Sequence, residues 1–131
     1  MHNTSHTPYP GVQGKCYIVT GASSGVGKET SILLSRLGAQ VILVGRDAER
    51  LAATRAMMEG DAHLIVRQDL CAVPKMRSWV NDIVAQSASP LAGIAHCAGT
   101  FQFAPLRVFH KDTFAKMKLC VGIFLIFIFP P

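Results

Sequence analysis

Thr20-Gly21-Ala22-Ser23-Ser24-Gly25-Val26-Gly27 (TGASSGVG) decides the fold of this 131-residue chain, because of what flanks it. Residues 15–20 (KCYIVT) are short, β-branched and apolar on both faces, which predicts a strand buried on both sides in a parallel sheet. Residues 28–37 set Ile32, Leu33, Leu34 and Leu37 at helical spacing, and Gly38 suits the position just past a helix C-terminus. A glycine turn between such a strand and such a helix aims backbone N–H groups and the positive end of the helix dipole at one point, where an anion is favoured. Gly21 permits the tight turn, Gly25 lets an anionic group approach the backbone, and Gly27 lets the helix pack closely on the strand.

Working outward, residues 40–44 (QVILV) read as a second buried strand. Asp47 suits the cap of a helix running through Leu51, Ala52 and Arg55 to about Met58. Gly60-Asp61 turns the chain into a third strand over residues 63–68 (HLIVRQ), ending at Asp69-Leu70. Pro74 suits the first turn of a third helix, with Met76, Trp79, Val80, Ile83 and Val84 on its core side and Ser89-Pro90 as its break. Residues 94–97 form a fourth strand closed by Ala98-Gly99. This alternation predicts an α/β fold: the N-terminal half of a Rossmann-type, doubly wound parallel sheet, incomplete, with strand order 3-2-1-4.

One competing nucleotide motif lies in the same residues. Residues 22–29 (ASSGVGKE) approach GxxxxGK[ST], but Ala22 replaces the first glycine and Glu29 replaces the Mg²⁺-binding hydroxyl. An acidic side chain there would repel a triphosphate, so the P-loop reading fails.

TGASSGVG resembles the TGxxxGxG signature of the short-chain dehydrogenases/reductases, and the likeness runs from about Gly14 to Met117. Asp69-Leu70 matches the acidic position with which that family contacts adenine. His96-Cys97-Ala98-Gly99 stands where the family has Asn-Asn-Ala-Gly. The resemblance implies a nicotinamide dinucleotide held by Gly21, Ser23, Ser24, Gly25, Val26, Gly27, Arg46, Asp69, Leu70, Ala98 and Gly99. It also implies hydride transfer to or from a carbonyl or alcohol, and a homo-oligomeric full-length form.

The end of the second strand selects between cofactors. A site for NAD(H) wants an acid there for the ribose 2′-OH, whereas Gly45 is followed by Arg46, which can fork onto a 2′-phosphate. NADP(H) is therefore expected over NAD(H), with Ser23 assisting by analogy. Asp47 is the nearby acid that could reverse this, and a capping role accounts for it. His96 can take over structural hydrogen bonding from the family's asparagine; no orienting acid is near it in sequence to make it catalytic.

The family's catalytic serine and Tyr-x-x-x-Lys are not found. The tyrosines are Tyr9 and Tyr17, each followed four residues on by Gln13 and Gly21. No catalytic residue is assigned, and the chain by itself is expected to bind cofactor without turning over. The organisation expected is a lead-in over residues 1–14, a half-domain over 15–118 and an apolar tail over 119–131 that departs from the family pattern. A truncated product accounts for that tail; an intact, non-catalytic nucleotide-binding or interaction protein built on the half-fold is the alternative.

Composition excludes several other classes. Half the residues are apolar and 16% are charged, which supports a core. The net charge of +5 comes from scattered basic residues rather than a run, so no nucleic-acid partner is expected. Cys16, Cys71, Cys97 and Cys120 have no CxxC spacing, and His2 and His6 lie in a loose lead-in, so no metal site is expected. Reduced thiols and the lack of a signal-peptide pattern suit a cytoplasmic location. The uncharged run over residues 119–129 is too short for a transmembrane span, and is an aggregation liability if exposed.

Overall fold

The computed structural model describes residues 11–70, 76–99 and 126–128. Four strands, β1 (Cys16–Thr20), β2 (Gln40–Gly45), β3 (Leu64–Arg67) and β4 (Leu91–His96), alternate with helices α1 (Gly25–Arg36), α2 (Ala48–Ala56) and α3 (Met76–Ala85). A short strand, β5 (Ile126–Ile128), completes the sheet, whose order is β3-β2-β1-β4-β5. β1 to β4 are mutually parallel in the expected order 3-2-1-4.

Every residue of β1 and the first five of β2 are buried, as strands covered on both faces require. Alternate residues feed two cores. Val19, Val41 and Leu43 pack with Leu51 of α2 and Leu34 of α1 on one face. Ile18, Ile42 and Val44 pack with Trp79, Val80, Ile83 and Val84 of α3 on the other. Helices on both faces are what right-handed crossovers produce.

Several boundaries and contacts depart from the pattern-based reading. α1 begins three residues earlier than its apolar spacing indicates, because the glycine turn ends directly in helix. Its buried face is Gly27, Ser31, Ile32 and Ser35, while Leu33 points to solvent. The two serines are tolerated inside because each bonds back to the helix, Ser31 Oγ to the Gly27 carbonyl and Ser35 Oγ to the Ile32 carbonyl. β4 begins at Leu91, three residues before the expected start. Its outer edge, for which no pairing strand is evident in the pattern, pairs antiparallel with β5 through Gly93↔Ile128, Ile94↔Phe127 and Ala95↔Ile126. The expected helix start at Pro74, Cys71, Cys120 and the stretch after Gly99 up to residue 125 lie outside the described residues.

His63, for which the sequence offers no partner, is buried between elements. Its Nδ1 accepts the Val41 N–H at 3.1 Å, so the ring proton is on Nε2, which donates to the Glu59 carbonyl at 2.8 Å. It joins β2 to the α2–β3 connection. No helix among the described residues is long and apolar enough to cross a membrane.

Candidate functional site

The carboxyl ends of β1, β2, β3 and β4 open into one cleft of about 920 Å³. It lies where the strand order reverses around β1, the position at which open α/β sheets receive ligands. Its size falls within the usual range for a cofactor-binding pocket.

The glycine turn forms its floor. Gly21 and Gly25 have φ of 67° and 56°, backbone that side-chain-bearing residues rarely adopt. A Cβ at Gly21 would lie 2.7 Å from the Ala98 nitrogen, and one at Gly27 would overlap the Gly21 carbonyl. The turn is therefore pressed between α1 and the segment after β4. A Cβ at Gly25, by contrast, would meet nothing within 4 Å. Ser24 is the N-cap of α1 but makes no capping hydrogen bond with its side chain, and the first turn carries no acid. The positive end of the helix dipole thus faces the turn without a protein anion against it, an environment suited to a phosphate. These features fit the phosphates of a dinucleotide.

Two threonines fix the turn from opposite sides. The Thr20 hydroxyl accepts the Cys97 N–H at 3.1 Å and the Ala98 N–H at 3.3 Å, and lies 2.7 Å from His96 Nδ1. With both lone pairs engaged, the hydroxyl donates to Nδ1, which leaves the imidazole proton on Nε2. His96 therefore accepts from a side chain here; the hydroxyl's two N–H partners dictate that direction. Across the turn, the Thr54 hydroxyl, buried in α2, lies 3.0 Å from the Ala22 carbonyl and 3.1 Å from the Arg50 carbonyl. The Ala22 N–H donates to the Val44 carbonyl at 3.2 Å.

The β2 side carries the charge. Asp47 caps α2, its Oδ1 accepting the Glu49 and Arg50 N–H groups at 3.0 and 3.2 Å, while its Oδ2 lies 3.6 Å from Arg50 Nε. Asp47 is thus occupied as expected. Arg46 has no carboxylate within ion-pairing distance among the described residues. No acid stands at Gly45, where a Cβ would meet the Leu51 side chain at 3.1 Å and the leucine would have to give way by a few tenths of an ångström.

Of the residues singled out from sequence, Gly21, Ser23, Ser24, Arg46, Asp69, Leu70, Ala98 and Gly99 line the cleft. Gly25 and Val26 line a separate depression along α1, and Gly27 is buried beneath Gly21. Glu49, Arg67 and Gln68 also line the cleft and Thr54 anchors its floor, though no motif marks them. Arg67 alone left a signal, as a basic residue closing an apolar strand. Burial raises the Cys97 thiol above its ordinary pKa, partly offset by a hydrogen bond with Thr30, and burial likewise raises Cys16. Neither thiol is an activated nucleophile, which wants a lowered pKa. Among the described residues no cluster of histidine, cysteine or acidic side chains could hold a metal ion.

The family model for short chain dehydrogenase matches residues 15–123. The chain belongs to this family. Within it, the chain is 36% identical over 96 residues to short-chain dehydrogenase/reductase bet4 of Neocamarosporium betae, covering 69% of this chain and 28% of that protein. It is 38% identical over 87 residues to mouse (Mus musculus) retinol dehydrogenase 11, covering 63% of this chain and 27% of the relative. Among solved structures, the citronellol catabolism dehydrogenase of Pseudomonas aeruginosa PAO1 superposes with a TM-score of 0.72 at 29% identity, over 84% of this chain and 46% of that one. A short chain dehydrogenase from Escherichia coli CFT073, complexed with NADPH, shares the fold with a TM-score of 0.73 at 24% identity, over 83% and 48%. The chain thus spans about a quarter of the length of these two curated relatives and about half of each structure. Its family is one of nicotinamide-dependent oxidoreductases.

Proposed function

We propose that this chain is the cofactor-binding part of an oxidoreductase that moves hydride between NADP(H) and a carbonyl or alcohol, with NADP(H) preferred over NAD(H). The observation that carries the preference is the end of β2. There Gly45 stands in place of an acid, Asp47 is committed to the helix cap, and Arg46 has no carboxylate within ion-pairing distance among the described residues. An arginine so placed pairs with a 2′-phosphate through charge-assisted hydrogen bonds. The nicotinamide, when bound, supplies or accepts the hydride. The chain's own residues hold the rest of the molecule: the turn from Gly21 to Gly27, with Ser23 and Ser24, takes the diphosphate. Asp69 and Leu70 flank the adenine, and Ala98 and Gly99 close the side toward β4.

Titration with NADPH and NADH tests this. NADPH is expected to bind about 10- to 100-fold more tightly, and Arg46→Ala to erase the difference. Equal affinities, unchanged by the substitution, would overturn the preference.

The substrate class rests on the family and on relatives such as retinol dehydrogenase 11, named for an alcohol. The chain itself is proposed to bind without turning over: Tyr17 lies in β1, away from the cleft, and neither Tyr17 nor Tyr9 has a lysine four residues on. That same observation favours a second reading, a non-catalytic nucleotide-binding or interaction protein. Sequencing the transcript beyond Lys118 separates them, because a downstream Ser and Tyr-x-x-x-Lys supports the oxidoreductase. The free thiols of Cys16 and Cys97 support a cytoplasmic setting, and homo-oligomerisation is proposed for the full-length form.

A further inference from the structure

Arg67 closes β3, and the register places it opposite Gly45, the last residue of β2. The ladder continues one step further, with the Gln68 N–H donating to the Gly45 carbonyl at 2.8 Å. From this position Arg67 Nε donates to the Arg46 carbonyl at 3.1 Å. One guanidinium N–H is thereby spent on the backbone of the residue expected to read the cofactor's ribose. The others are not bonded to any described residue, and no described carboxylate lies within ion-pairing distance of Arg67.

The three arginines lining this end of the cleft are not equivalent. Arg50 is neutralised by Asp47. Neither Arg46 nor Arg67 makes an ion pair with a described carboxylate, although Asp69 lines the same cleft, and the Arg67 bond to the Arg46 carbonyl ties the two strand ends together. Glu49, also at the rim, is exposed and pairs with neither. Two positive charges carried on adjacent strand ends that line one cleft favour an anion there. The planar fork of each suits the oxygens of a phosphate monoester.

We propose that Arg67 is a second specificity residue for the 2′-phosphate, binding it directly and fixing the backbone from which Arg46 reaches it. The proposal rests on the NADP(H) reading and extends it to a residue outside the TGxxxGxG signature.

The test uses 2′,5′-ADP and 5′-AMP, which differ by that phosphate alone, titrated calorimetrically into the full chain and its variants. The unaltered chain should prefer 2′,5′-ADP. Arg67→Ala should weaken 2′,5′-ADP about 10- to 100-fold and change 5′-AMP by less than about threefold. Arg67→Lys, which keeps the charge but loses the fork, should fall in between. If the unaltered chain binds the two ligands equally, or neither, the NADP(H) reading fails and this proposal with it. If it prefers 2′,5′-ADP, Arg46→Ala removes the preference and Arg67→Ala leaves it intact, the reading stands and the role of Arg67 is overturned. Equal weakening of both ligands by Arg67→Ala also overturns it, as the mark of a merely structural clamp. Should Arg67→Ala not fold, Arg67→Lys decides: unchanged selectivity overturns the proposal, and reduced selectivity upholds it.

Discussion

The glycine turn is held differently on its two sides. Toward β4 it is held by neutral hydrogen bonds that converge on one hydroxyl, with Thr20 joining Cys97, Ala98 and His96. Toward β2 it is held by Thr54 beneath and bordered by arginines above, with Asp47 turned to capping α2. The β4 side therefore sets shape and the β2 side sets charge. Substitutions on the first side should weaken every dinucleotide alike. Substitutions at the arginines should separate one dinucleotide from another.

The largest effect should come from breaking the feature both sides share. Gly27→Ala forces a Cβ into the Gly21 carbonyl, and the backbone on either side cannot yield. A loss of about 3 kcal/mol is expected, together with loss of binding to NADPH and NADH, measured by urea unfolding and calorimetry. Unchanged stability would mean that the turn and α1 are not in the described contact.

Next in size is Thr20→Val, which strips the acceptor from the Ala98 N–H and the donor from His96. A loss of about 2 kcal/mol is expected, with Thr20→Ser close to the original chain. Binding of the two dinucleotides should suffer equally; a selective loss of NADPH would contradict the division between the sides.

Thr54→Val removes the hydroxyl beneath Ala22 while keeping the side chain's volume. About 1 kcal/mol of destabilisation is expected. This substitution sharpens the comparison because Thr54 lies on the β2 side yet carries no charge. It should lower both affinities together, unlike Arg46→Ala, and a change in the NADPH-to-NADH ratio would show that floor and rim are coupled.

Gly45→Asp introduces an acid at the end of β2 against Leu51. The expected shift is about tenfold toward NADH in relative affinity, at about 1 kcal/mol of stability for displacing the leucine. No change in the ratio would show that Arg46 is too far from the ribose to be opposed.

The smallest effect is on pH dependence. Burial raises the thiols of Cys16 and Cys97, so the unfolded chain loses its thiol protons first as pH rises. The stabilisation is intact below the ordinary thiol pKa and declines as pH climbs through it toward the raised folded-state values. Urea midpoints should therefore fall between neutral pH and about pH 9.5, less steeply in a chain carrying Cys16→Ala and Cys97→Ala. An equal slope in both chains would assign the decline to other groups.

What the sequence disclosed follows the distance over which each feature acts. The turn, the buried strands and the Asp47 cap depend on residues a few positions apart, and the strand order follows from alternation and crossover handedness. What stayed hidden depends on partners brought together by the sheet. Thr20 meets His96 across 76 positions, Thr54 meets Ala22 across 32, and Arg67 meets Arg46 across 21. Periodicity misplaced Leu33 because it gives no weight to serines that satisfy themselves inside α1.

β5 gives the cleft a directional asymmetry. Ile126 pairs with Ala95 near the cleft, and Ile128 pairs with Gly93 further from it. Each parallel strand points its carboxyl terminus at the ligand, so whatever follows it in the chain is delivered there. β5 runs the opposite way, so its own carboxyl end, at Ile128, is the end further from the cleft. It lengthens the sheet at the β4 edge without aiming a carboxyl end at the cleft.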